Sequence, residues 1–116
     1  MTKDSFKEIC FLYLRKYAEK DINTIGEMFS EDISLRDWKI RVVGKKNAII
    51  ETRKNFESAY SIDIEVLSTY ENLNALAVEL KITVNTKDVL YVVDVITINS
   101  DGKIKSIRAY LGRGDN

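Results

Sequence analysis

Histidine does not occur in this 116-residue chain. Its absence excludes serine–histidine nucleophile systems, imidazole metal sites and imidazole general bases. Any acid–base chemistry falls to Asp, Glu, Tyr or Lys. Proline is missing as well, and no low-complexity stretch, internal repeat or linker breaks the chain. Cys10 is the single cysteine, so no intrachain disulfide can form. Neither sign of charge is in excess: 18 Lys and Arg balance 18 Asp and Glu. That balance argues against nucleic acid, which needs a basic field, and against an anionic membrane surface. Apolar runs are far shorter than a bilayer requires. The charged stretch Met1 to Glu8 lacks the apolar centre of a signal peptide, which makes the cytoplasm the expected location. The length suits one domain, residues 1–116, with a single core and a modest pocket.

What is present divides into a helical half and a strand half. Phe6, Ile9, Cys10, Tyr13, Leu14 and Tyr17 recur at the spacing of one helical face, predicting a helix over 5–20. Ser5 with Glu8 reads as its capping box. Asp21 reads as the cap of a short second helix with Ile22, Ile25 and Phe29 inward. Ile33, Leu35 and Asp37 alternate with Ser34, Arg36 and Trp38, predicting a strand over 32–38. A short extended piece, 40–43, ends at Gly44, and 46–59 reads as a third helix. From residue 62 the period is two. Strands at 62–66, 76–84, 89–98 and 104–111 are separated by turns at Asn72-Leu73-Asn74, at 85–88 and at Ser100-Asp101-Gly102. The order predicts an α+β domain in which helices cover one face of a curved sheet ending in a four-stranded antiparallel meander.

Asp94 stands out against that pattern. It lies within Val89 to Ile98 on the same strand face as Leu90, Val92, Ile96 and Ile98, while Val93 and Val95 occupy the other face. With apolar residues on both faces and no base in the run, its carboxylate loses hydration without compensation, and a protonated, hydrogen-bond-donating acid is the least costly state. Tyr13 sits at the centre of the first helix's apolar stripe, and Asp37 shares a strand face with Ile33 and Leu35. Periodicity aims all three polar groups inward.

The order of elements, the stretch from Glu31-Asp32 through Asp37, and the ungapped run from Val92-Val93-Asp94-Val95 through Asp101-Gly102-Lys103-Ile104 to Arg108-Ala109-Tyr110 resemble the nuclear transport factor 2-like superfamily. That superfamily is a cone-shaped (cystatin-like) α+β fold that includes ketosteroid isomerases and SnoaL-like polyketide cyclases, and the resemblance covers nearly the whole chain. It implies a curved antiparallel sheet covered by three N-terminal helices. It also implies roles: Tyr13 as an oxyanion-binding phenol, Asp37 as general base, and Asp94 as the neutral acid of the oxyanion hole. Phe29, Trp38, Phe56 and Leu111 would line a dry pocket for a small apolar carbonyl compound, with no metal or organic cofactor. The chain departs from ketosteroid isomerases in placing Trp38 after the base, where they carry proline. It also places Thr52-Arg53-Lys54 where they carry a supporting tyrosine. An inward Arg53 would pair with Asp94 or Asp37, and the three would then resemble the Asp-Arg-Asp set of the superfamily's epoxide hydrolases. Cofactor-free isomerisation or cyclisation is the leading expectation. A small-ligand-binding protein or a dimerising interaction domain of the same fold stands beside it. Ala75, Ala77 and Thr83 on the outward strand face, with the resemblance, imply a homodimer packed sheet to sheet.

Overall fold

Strict alternation between buried and half-exposed residues builds the C-terminal half of the molecule. The computed structural model describes residues 3–115, and their side chains from Ser5 onward. Strands β3 (Ile62–Glu71), β4 (Ala75–Val84), β5 (Asp88–Ile98) and β6 (Ile104–Leu111) form the antiparallel meander. Leu76, Val78 and Leu80 of β4 and Ile96 of β5 are fully buried, and their odd-numbered neighbours face outward. Asn85 and Thr86 both take positive φ, 56° and 60°, in the β4–β5 hairpin turn. A slip in register between Val66 and Ser68 bulges β3, and such a bulge increases local bend and twist.

The N-terminal half supplies the cover. Helices α1 (Lys3–Ala18), α2 (Ile22–Met28) and α3 (Lys45–Glu57) lie on one face of the sheet, and strands β1 (Phe29–Arg36) and β2 (Arg41–Val43) extend it. The Asp21 side chain caps α2 by accepting from the Thr24 amide at 3.1 Å, as its position predicts. Ser5, by contrast, lies inside α1, which already runs from Lys3, so it is not the cap of that helix. Phe29 is not on α2 either. Its backbone is extended and it opens β1, where it pairs with Ile104 and is 1% exposed.

The six strands are ordered β2-β1-β6-β5-β4-β3. The sheet is mixed rather than wholly antiparallel, because β1 runs parallel to β6 while every other pair is antiparallel. The β1–β2 hairpin docks beside the last strand, so segments distant in sequence meet at the centre of the sheet. Among the described residues no helix is long and apolar enough to cross a membrane.

Cys10 is fully buried in the core between helices and sheet. Burial, with a smaller contribution from Glu71, pushes its thiol up to about 12. The thiolate is the reactive form. Native protein is therefore expected to resist a thiol-specific disulfide reagent near neutral pH, and urea-unfolded protein to react at the rate of a free cysteine, followed by absorbance.

Candidate functional site

A cavity of about 330 Å³ opens between α1, α3, the β1–β2 turn and the concave face of β3 to β6. That volume is at the low end of ligand pockets, roughly 300–1,000 Å³. Its walls are aliphatic: Leu35, Ile62, Ile64, Leu80, Ile82, Leu90, Val92 and Ile107 line it. Its mouth lies between exposed Trp38 and Lys39 of the β1–β2 turn and exposed Lys54 and Asn55 of α3 with Ser58 just after it. Lys54 is paired with Glu51 at 2.9 Å, so part of the mouth is internally neutralised.

Three polar side chains inside come from elements distant in sequence. Asp94 lies on the concave face of β5, opposite Val78 on one side and Ala109 on the other. The small Ala109 side chain leaves room beside it. Fully buried Ile96, the next inward residue on β5, closes the sheet beyond. Asp94 is 9% exposed, and burial pushes its carboxyl up to about 7. Tyr13 of α1 is 4% exposed, and its phenol is raised well above its usual range by burial first, then by the charges of Asp94 and Tyr17. Among the described residues neither the Tyr13 hydroxyl nor the Asp94 carboxyl makes a side-chain hydrogen bond to protein, although both line the cavity.

Asp37 lines the same cavity, but not as a strand residue. β1 ends at Arg36, and Asp37 begins the turn to β2. Its Oδ1 accepts from the amides of Lys39 at 2.7 Å and Ile40 at 2.8 Å, an Asx-type turn that holds the hairpin. The carboxylate therefore has Oδ1 committed to structure.

The structure thus brings Tyr13, Asp37, Trp38 and Asp94 to one cavity and sends the other expected residues elsewhere. Arg53 follows buried Thr52 by one position, about 100° around the helix. It faces a shallow surface depression with Glu31, Lys45, Lys46, Ile49 and Ile50, away from both aspartates. The Asp-Arg-Asp arrangement is therefore not formed with Arg53. Leu111, at the end of β6, is 47% exposed and lies beyond the Ala109 wall. Phe29 and Phe56 are core residues one layer behind, with ring centroids 6.2 Å from Tyr13 and 4.8 Å from Tyr17 respectively.

Two residues that the sequence analysis did not place in the site belong to it. Tyr17 lines the cavity one turn after Tyr13, with ring centroids 5.9 Å apart, and its hydroxyl accepts from the Asn55 side-chain amide at 3.1 Å. Burial chiefly, then the charges of Asp94 and Asp37, push the Tyr17 phenol up to about 12, with the Asn55 hydrogen bond opposing. Two phenols at i and i+4 on one helical face were the available signal. Asn55 carried none, because its helix had no visible polar partner.

No protein-family model matches the sequence, and no curated protein matches it significantly. Solved structures do. A SnoaL-like protein of unknown function from Burkholderia thailandensis superposes with a TM-score of 0.85 over 97% of this chain and 99% of its own, at 12% identity. SalBIII, an epoxide hydrolase/cyclase-like enzyme in pyran ring formation in polyether salinomycin, is 26% identical, with a TM-score of 0.76 over 95% of this chain and 92% of its own. A de novo designed protein with a curved β-sheet reaches a TM-score of 0.82 at 19% identity, covering 97% of this chain and 88% of its own. The designed protein shows that the same architecture arises without an evolved activity. The helices, the curved mixed sheet and these neighbours together give the chain the fold of the nuclear transport factor 2-like superfamily.

Proposed function

We propose that the cavity binds a small apolar carbonyl compound and transfers a proton on it without a cofactor, in the manner of an isomerase or cyclase. The observation that supports this reading best is that Tyr13 and Asp94 line one cavity. An acid that burial keeps protonated up to about pH 7 and a phenol, neither engaged by the protein, sit in an aliphatic cavity whose mouth carries a carboxylate. In this mechanism Asp37 takes a proton from the carbon next to the substrate carbonyl. The electron pair moves onto oxygen, and the developing enolate accepts hydrogen bonds from Tyr13 and protonated Asp94. Asp37 then returns the proton to the same carbon or to a conjugated one. Low polarity around the site strengthens each hydrogen bond.

A binding-only reading of the same cavity has one observation in its favour: the Asp37 carboxylate also serves the turn. Proton exchange separates the two readings. Small apolar ketones and enones incubated in D2O with a catalytic amount of protein are expected to lose their α-proton signals by NMR. Tight binding without exchange would leave only the ligand-binding reading.

We propose further that two copies of the chain pack through the uncovered convex face of the sheet. Tyr70, Val93, Val95 and Tyr110 face outward there, and Arg108 Nε is buried with no hydrogen-bond partner among the described residues. Asp63, Glu65 and Glu79, with Lys81 among them, lie toward the β3 side of that face, and Arg36 and Arg108 toward the β1 side. A two-fold axis would set each group against its opposite. Sedimentation is expected to give the mass of a dimer, and Val95→Arg the mass of a monomer. A monomeric native protein removes this proposal.

A further inference from the structure

We infer that Tyr17 is a further hydrogen-bond donor to the ligand's oxygen, and that Asn55 is the positioning residue that aims it. The inference rests on the carbonyl-binding reading above and adds a residue to it.

Asn55 reaches from the exposed side of α3 and donates its amide N–H to the Tyr17 hydroxyl oxygen at 3.1 Å. Accepting that bond uses a lone pair and leaves the hydroxyl proton to point elsewhere. No described protein group accepts it. Edge-on packing against Phe56 at 4.8 Å and Tyr13 at 5.9 Å fixes the Tyr17 ring in the cavity wall. That proton, unclaimed by the protein, sits on a ring that lines the cavity together with Tyr13, Asp37 and Asp94, where a ligand oxygen can accept it.

Position supports the same role. The Tyr17 hydroxyl is close enough to Asp94 and to Asp37 to feel both charges, whereas Tyr13 feels Asp94. Tyr17 is thus the phenol within electrostatic reach of both acid and base in the cavity that all of them line. Asn55 reaches it from α3, three residues after buried Thr52.

The test uses the full chain and two probes of similar shape. 4-Nitrophenolate carries an enolate-like oxygen, and 4-nitrotoluene replaces it with a methyl group. Tyr17→Phe keeps both ring contacts, and Asn55→Ala lies at the solvent boundary, so both variants are expected to fold. Calorimetric titration should show wild type preferring the phenolate, and Tyr17→Phe losing roughly tenfold or more of that affinity with 4-nitrotoluene unaffected. Asn55→Ala should weaken phenolate binding in wild type and change nothing in the Tyr17→Phe background. A phenolate affinity lowered by Tyr13→Phe but untouched by Tyr17→Phe would overturn this inference and leave the carbonyl-binding reading standing. Equal losses for both probes would reduce Tyr17 to a packing residue. No preference of wild type for the phenolate would remove the carbonyl-binding reading, and the inference with it.

Discussion

Replacing Asp94 by asparagine is expected to change stability little near pH 4 and to stabilise the protein progressively as the pH rises to about 8. The cause is the unusual direction of the shift. A paired carboxylate has a lowered pKa when folded, whereas burial raises that of Asp94 from 3.8 to about 7. Between those values the folded state holds a proton that the unfolded state has released, so stability falls with rising pH and levels off above about 7. The shift is about three pH units, and at 1.36 kcal/mol per unit the full loss is about 4 kcal/mol. The side-chain amide of the Asp94→Asn variant does not ionise, so the variant escapes that loss. Urea unfolding at several pH values should therefore show the variant's advantage growing across the window. An advantage that stays constant with pH would mean that Asp94 ionises as an ordinary carboxylate, and the neutral-acid basis of the proposed mechanism would fail. The same titration should appear in turnover, which is expected to decline above about pH 7 as Asp94 ceases to donate.

The second large effect belongs to the base. Asp37→Asn is expected to reduce proton exchange by roughly 10² to 10⁴-fold, the usual contribution of a positioned general base. The substitution is unusually clean at this site. The Asn carbonyl oxygen can accept the same Lys39 and Ile40 amides, at 2.7 and 2.8 Å in the native turn, so the β1–β2 hairpin should persist. Phenolate binding at the Tyr13 and Asp94 end should be retained or strengthened, because a negative charge leaves the cavity. Exchange that survives Asp37→Asn unchanged would take the base role away from Asp37, and loss of binding along with exchange would point to a collapsed turn. Alanine is the poorer test, since it removes both the base and the acceptor of the turn.

These expectations rest on features of differing legibility. Asp94 was visible in the sequence because a strand has a period of two, and a carboxylate in register with Leu90, Val92 and Ile96 has nowhere else to point. The α1 stripe, the Asp21 cap and the meander were legible for the same local reason: each is dictated by residues within one turn of helix or one hairpin. Tyr13 followed from its place in the stripe. Asp37 was legible both as an inward residue and, at a strand end, as a turn former; that it is both at once depends on where β1 stops.

What the tertiary structure alone decided is which elements face one another. Periodicity orients a side chain relative to its own helix or strand and carries no information about what the neighbouring element presents. Arg53 could be oriented only once α3 was docked with Thr52 inward and Arg53 against Glu31 and Lys45. Tyr17 became a site residue only when α3 brought Asn55 to its hydroxyl, 38 positions away in sequence. The parallel pairing of β1 with β6 joins segments far apart in the chain, and no local pattern encodes it. Local spacing thus determined the elements and their buried faces, and long-range packing decided which of those faces share a cavity.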